Sequence, residues 1–116
     1  MSERDIRLYL NDILESIDSI FSYISGIDYK KFSETRMIYN AVIREFEIIG
    51  EASKKIPRET RQHYKEISWR DIIAFRNLLI HEYFGVDTRI LWNTIHTDLL
   101  PLKTAVCDLI EKEKHK

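Results

Sequence analysis

Turn-forming residues are scarce in this sequence: three glycines and two prolines among 116 residues. So few cannot serve the repeated tight turns of a sandwich or barrel of short strands, which leaves helices as the expected elements. Cysteine is nearly absent too. Cys107 stands alone, so no intrachain disulfide is possible; its apolar neighbours point to a buried, inert thiol in a reducing compartment, and a cytoplasmic location is expected. No apolar run approaches the ~20 residues needed to span a bilayer, and Met1-Ser-Glu-Arg-Asp5 has no signal-peptide core, so no membrane role is expected. Glycine-rich phosphate loops and Ser/His/Asp sets are missing as well. The paired Glu-x-x-His of di-iron bundles is also absent, because the residues three before His63, His81, His96 and His115 are Thr60, Leu78, Asn93 and Lys112. No metal or cofactor is called for.

Charge is present in quantity but nearly cancels, at −1 overall. That balance excludes coating of nucleic acid by bulk attraction, yet the charges are segregated. Residues 1–28 carry Glu3, Asp5, Asp12, Glu15, Asp18 and Asp28 against Arg4 and Arg7. Residues 54–76 reverse this, with Lys54, Lys55, Arg58, Arg61, Lys65, Arg70 and Arg76 against Glu59, Glu66 and Asp71. A phosphate-bearing partner suits the second stretch; a solvated helix end is the alternative.

The apolar spacing predicts four amphipathic helices in a single domain over 1–116. Ser2 to Asp5 resembles a capping box before Ile6, Leu10, Ile13, Ile17, Ile20 and Ile24, with Gly26 as the stop. Ser33 is expected to cap a second helix that ends at Pro57. A basic connector with a short helical turn follows over 58–67. Ser68 opens a third helix, which Gly85 closes, and Asp87 caps a fourth, which Pro101 should kink or split. The charged tail 111–116 is expected to fray. Each apolar stripe needs a neighbour, so the fold class is all-α, an antiparallel bundle of four, up to five, helices.

Within the third helix, Arg76-Asn77-Leu78-Leu79-Ile80-His81-Glu82-Tyr83 sets polar residues inside an apolar stretch. At about 100° per residue, Arg76 and Tyr83 share one face while Asn77 and His81 stack one turn apart. Imidazole titrates near neutrality, and guanidinium stays charged and forks onto phosphate oxygens, so His81 suits general acid–base work and Arg76 a phosphate clamp. The same spacing is equally compatible with a satisfied polar pair in a bundle and a surface ion pair. Trp69, Phe75 and Trp92 could stack bases, although aromatics at helical spacing more often build core.

Arg-x4-His-x-Tyr with Asn directly after the Arg resembles the signature of the HEPN superfamily, specifically its HepT-like toxins. Ile48-Ile49-Gly50-Glu51-Ala52, Trp69-Arg70, and Tyr83-Phe84-Gly85-Val86-Asp87 followed by Trp92 are similar to further landmarks of that group. The resemblance implies a HEPN-like bundle that forms a homodimer, with the two motifs facing across a cleft and cleaving RNA, transfer or messenger, without a metal. It implies catalytic roles for Arg76, Asn77 and His81, with Glu51 and Arg70 peripheral to the cleft. It also implies pairing with a minimal nucleotidyltransferase (MNT) antitoxin that transfers AMP to Tyr83. Two other readings stay open on sequence: a HEPN domain that binds RNA, nucleotide or the nucleotidyltransferase without cutting, and a partner of a nucleotidyltransferase that is itself the toxin.

Overall fold

Three long helices carry the molecule, and each starts and stops for a local reason. The computed structural model describes residues 5–75, 80–81 and 85–116, with the backbone alone for Ile80 and His81. Helix α1 spans Ile6–Tyr23, and the Asp5 carboxylate caps it by accepting from the Arg7 amide. Leu10, Ile13, Ile17 and Ile20 recur at helical spacing and are all fully buried, so one stripe of α1 faces inward. Gly26 follows with φ +78°, the left-handed turn that a residue without Cβ adopts freely.

The expected second helix is two. Asp28 caps a short α2, Tyr29–Glu34, through the Lys31 amide, and α3 begins afresh at Arg36 and runs to Lys54. Ser33 is therefore no cap. It lies inside α2 and donates its hydroxyl to the Lys30 carbonyl, because Asp28 already occupies the position from which a side chain reaches the free amides of the first turn. Phe32 on α2 is fully buried and meets Trp92 with ring centroids 5.0 Å apart. After Pro57 come α4, Arg58–Arg61, a connector, and α5, Trp69–Ile73.

The last helix, α6, spans Thr88–Lys114, capped by the Asp87 carboxylate on the Arg89 and Ile90 amides. Pro101 does not split it. The proline is exposed, as is Thr97 one turn earlier, so the carbonyl that loses its amide donor there is open to water. Nor does the helix stop short of the charged tail: it continues through Lys114, with Lys114 and His115 both paired to Glu111. Cys107 is exposed, against the expectation of burial. It follows Val106, which is buried, and a step of about 100° around the helix turns the next side chain to solvent.

Helix α1 packs against both α3 and α6, while α2 closes on α3 and α6 and α5 lies on α3. Buried residues of α1, α3 and α6, among them Ile17, Ile49 and Ile95, join in one core. The protein is thus an all-α bundle. No helix among the described residues is long and apolar enough to cross a membrane.

The largest departure concerns the third helix. It ends at Ile73, with Ala74 as its C-cap, and Ile80–His81 form a two-residue strand, β1, paired antiparallel with β2, Gly85–Val86. The expected stacking of His81 one helical turn beyond Asn77 needs His81 in a helix, and its backbone is extended instead. The cause is local: Ile80 faces Val86 across the pair, both β-branched, and Gly85 has φ +77°.

Candidate active site and its basic flank

The described residues hold the sequence motif from both sides. Upstream, α5 is fastened to α3 at Gly50, where an added Cβ would lie 3.2 Å from the carbonyl oxygens of both Ile72 and Ile73. Only glycine lets the two backbones approach this closely without one of them giving way. Phe75, just before Arg76, is buried, and its ring sits 4.6 Å from that of Phe46 on α3. Downstream, the His81 backbone is paired with Gly85, and Asp87 then opens α6. Arg76, Asn77 and Tyr83, together with the side chain of His81, lie outside the described residues.

The two peripheral candidates fall on either side of the end of α5. Glu51 is exposed, 3.7 Å from Lys54, and lines a hollow of about 340 Å³ with Tyr9, Arg44, Gly50, Lys55 and Ile73. Arg70 lines a different groove, of about 590 Å³, with Arg58, Arg61, Gln62, Lys65 and Trp69. Ile73 contributes to both. The structure thus sets Glu51 and Arg70 beside the chain that leads into the motif, in separate depressions.

Trp69 is core rather than a stacking platform. It is 9% exposed, and its indole N–H donates to the Arg61 carbonyl at 3.0 Å and the Tyr64 carbonyl at 3.3 Å. Those two bonds fold the connector over α5. Arg61 adds a third, its Nε–H donating to the Ile56 carbonyl at 3.1 Å.

Tyr64 was not singled out by the sequence, yet it ties the connector to α6. Its hydroxyl donates to the Asp108 carboxylate at 2.5 Å and accepts from the Lys112 ammonium at 3.2 Å. Burial first, and the bond to Asp108 second, push the phenol above its ordinary pKa. The bonds from Tyr64 and then Lys112 hold the Asp108 carboxyl below the ordinary aspartate value, and the bonds to Tyr64 and then Asp108 raise Lys112. The signal for this contact was faint. A tyrosine in a basic connector and an Asp-x3-Lys pair over forty residues away carry no spacing rule.

Among the described residues no group of three or more His, Cys, Asp or Glu side chains is arranged to hold a metal.

Comparison with known proteins gives this arrangement a context. A protein of Thermococcus cleftensis named "Probable ribonuclease HepT" is 44% identical over 101 residues, covering 87% of this chain and 92% of its own. "Putative RNase MJ1380" of Methanocaldococcus jannaschii is 42% identical over 106 residues, 91% of this chain and 97% of its own. "Putative RNase MJ0125" of the same organism is 38% identical across the full length of both chains. No solved structure matches the chain significantly. Residues 13–109, which include the whole stretch from Arg76 to Tyr83, match the family described as Ribonuclease HepT-like. The chain belongs to the HepT-like ribonuclease family.

Proposed function

We propose that this chain is a metal-independent endoribonuclease toxin that works as a homodimer and is silenced by a nucleotidyltransferase antitoxin. The observation that carries the reading is the family match across 13–109, with Arg76, Asn77, His81 and Tyr83 all present inside it.

The chemistry follows from those side chains. A ribose 2′-hydroxyl loses its proton and attacks the adjacent phosphorus; the P–O5′ bond breaks, leaving a 2′,3′-cyclic phosphate and a 5′-hydroxyl. His81 moves protons, Arg76 stabilises the charge that builds on the phosphorane oxygens, and Asn77 orients one or the other. One proton leaves the 2′-oxygen and one reaches the 5′-oxygen on opposite sides of the phosphorus. A second His81 from a partner subunit divides that work, which gives dimerisation a role in catalysis. AMP transferred to the Tyr83 hydroxyl adds a negative phosphodiester to the motif, which competes with the RNA phosphate for the Arg76 clamp. Transfer or messenger RNA is the substrate.

The test is incubation of the purified chain, with Tyr83 shown bare by mass spectrometry, with total cellular RNA in EDTA beside His81→Ala. Cleavage leaving 2′,3′-cyclic phosphate ends is expected, reduced by about 10²- to 10⁴-fold in the variant. No cleavage by the bare chain would overturn the catalytic reading in favour of a binding partner of the nucleotidyltransferase. For the pairing, co-expression with that enzyme should relieve growth arrest and add one AMP at Tyr83; toxicity of the nucleotidyltransferase alone would reverse the two roles.

A further inference from the structure

The groove between α4 and α5 has a charge composition unlike any other depression described in the molecule. Arg58, Arg61, Lys65 and Arg70 line it together with Gln62, and among the described residues no carboxylate does. The hollow formed by α1 and α3 is the converse, lined among the described residues by Asp12, Glu15 and Glu45 without a cation. Among the described residues Arg58, Lys65 and Arg70 make no ion pair, although the molecule pairs many of its other lysines and arginines. Four cations kept together around one concavity repel each other, a cost that a polyanion would relieve.

The groove is also held in shape. Trp69, which lines it, is bonded to the carbonyls of Arg61 at the end of α4 and Tyr64 in the connector, and that connector is tied to α6 through Tyr64, Asp108 and Lys112. The groove's inner end is Ala74. Only Phe75 separates Ala74 from Arg76 in the chain, so covalent geometry keeps their Cα atoms within about 7 Å of each other. A strand whose scissile phosphate met Arg76 would have its neighbouring phosphates within reach of this groove.

We infer that the α4–α5 groove is a subsite for the phosphodiester backbone of single-stranded RNA, flanking the cleaved bond and binding it without regard to base. The inference rests on the ribonuclease reading above for its ligand. Its indifference to base follows from Trp69: among the described residues the only aromatic side chain lining the groove is buried with its N–H already bonded, so there are charges to follow a backbone and no platform to stack a base.

The test separates binding from cleavage by working in the His81→Ala background. Two fluorescent single-stranded RNAs of about twelve nucleotides, one oligouridine and one mixed, are titrated at several salt concentrations. The comparison is with the same protein carrying Arg58→Gln, Lys65→Gln and Arg70→Gln. Arg61 is left in place because its Nε–H supports the Ile56 carbonyl. Expected are an unchanged melting temperature and a Kd raised at least about tenfold for both RNAs, with a log Kd against log salt slope lower by about 2, at 0.7 per lost phosphate contact. A double variant, Arg58→Lys with Arg70→Lys, should retain the slope.

An unchanged Kd and slope would overturn the subsite, and would be the result if the groove served an acidic protein partner. A loss confined to one RNA sequence would overturn backbone recognition. Failure of the wild-type chain to cut RNA, with groove-dependent binding intact, would remove the catalytic reading and leave the subsite standing.

Discussion

Helices α1, α3 and α6 bury Leu10, Ile13, Ile17, Ile49, Ile95 and Leu99 almost completely, whereas the stretch from Arg58 to Ala74 is built from two helices of four and five residues and a connector. The first region holds itself together by apolar area. The second holds by single contacts: Gly50 against two carbonyls, Trp69 bonded to two others, Tyr64 clasping Asp108. Helices this short are not stable alone, so their position depends on what they rest against. Stability and recognition are thereby assigned to different parts of one small domain, and substitutions should separate them.

The strongest challenge to that division is Ile95→Ala, in the apolar region. It should cost about 2 to 5 kcal/mol in denaturant unfolding, from lost transfer energy and a residual cavity. RNA binding at low temperature should be unaffected, and a binding defect in the fully folded variant would break the comparison. Gly50→Val probes the seam. The new side chain must displace the Ile72 and Ile73 carbonyls, at an expected cost of about 1 to 3 kcal/mol, and RNA cleavage should fall by more than the unfolded fraction explains. A variant as active per folded molecule as the wild type would show that α5 need not be held where it is.

Asp87→Ala should cost about 1 kcal/mol, because two α6 amides lose their acceptor; thermal melts would register it. The smallest effect is electrostatic. Bonds from Tyr64 and Lys112 keep Asp108 below the ordinary aspartate pKa, so the folded state is favoured above about pH 4, the range in which the unfolded carboxylate is charged, and the contribution disappears as pH falls through the lowered value. The melting temperatures of wild type and Asp108→Asn should therefore differ near neutrality and converge in acid. A constant difference across that range would exclude the carboxylate charge as the source.

The sequence exposed the fold in proportion to the length of each pattern. The stripes of α1, α3 and α6 repeat over several turns, and Asp87 and Gly26 act through rules that each residue type carries alone, so the cap of α6 and the stop of α1 were legible. The break at Thr35 was not, because apolar spacing continues across it. The third helix was overextended for a related reason: Ile72, Ile73 and Ile80 satisfy a helical period and a strand equally well, and only the pairing of Ile80 with Val86 decides between them. The candidate site was legible as a list of side chains and a family resemblance. Its basic flank was visible as a run of charge, but nothing in one dimension said that Arg58, Arg61, Lys65 and Arg70 share a groove, since folding of the connector over Trp69 brings them together.

Pro101 has a bearing on how the molecule meets other proteins. Leu100 beside it is 59% exposed, one apolar side chain open to solvent. The Thr97 carbonyl on the neighbouring turn has lost its helical donor, and water satisfies it only while that face stays wet. Any protein that settled there would have to bring an N–H or O–H of its own or leave the carbonyl dry, which costs about as much as burial of one leucine returns. One ring in α6 thus limits what can cover this turn of the helix without supplying a donor.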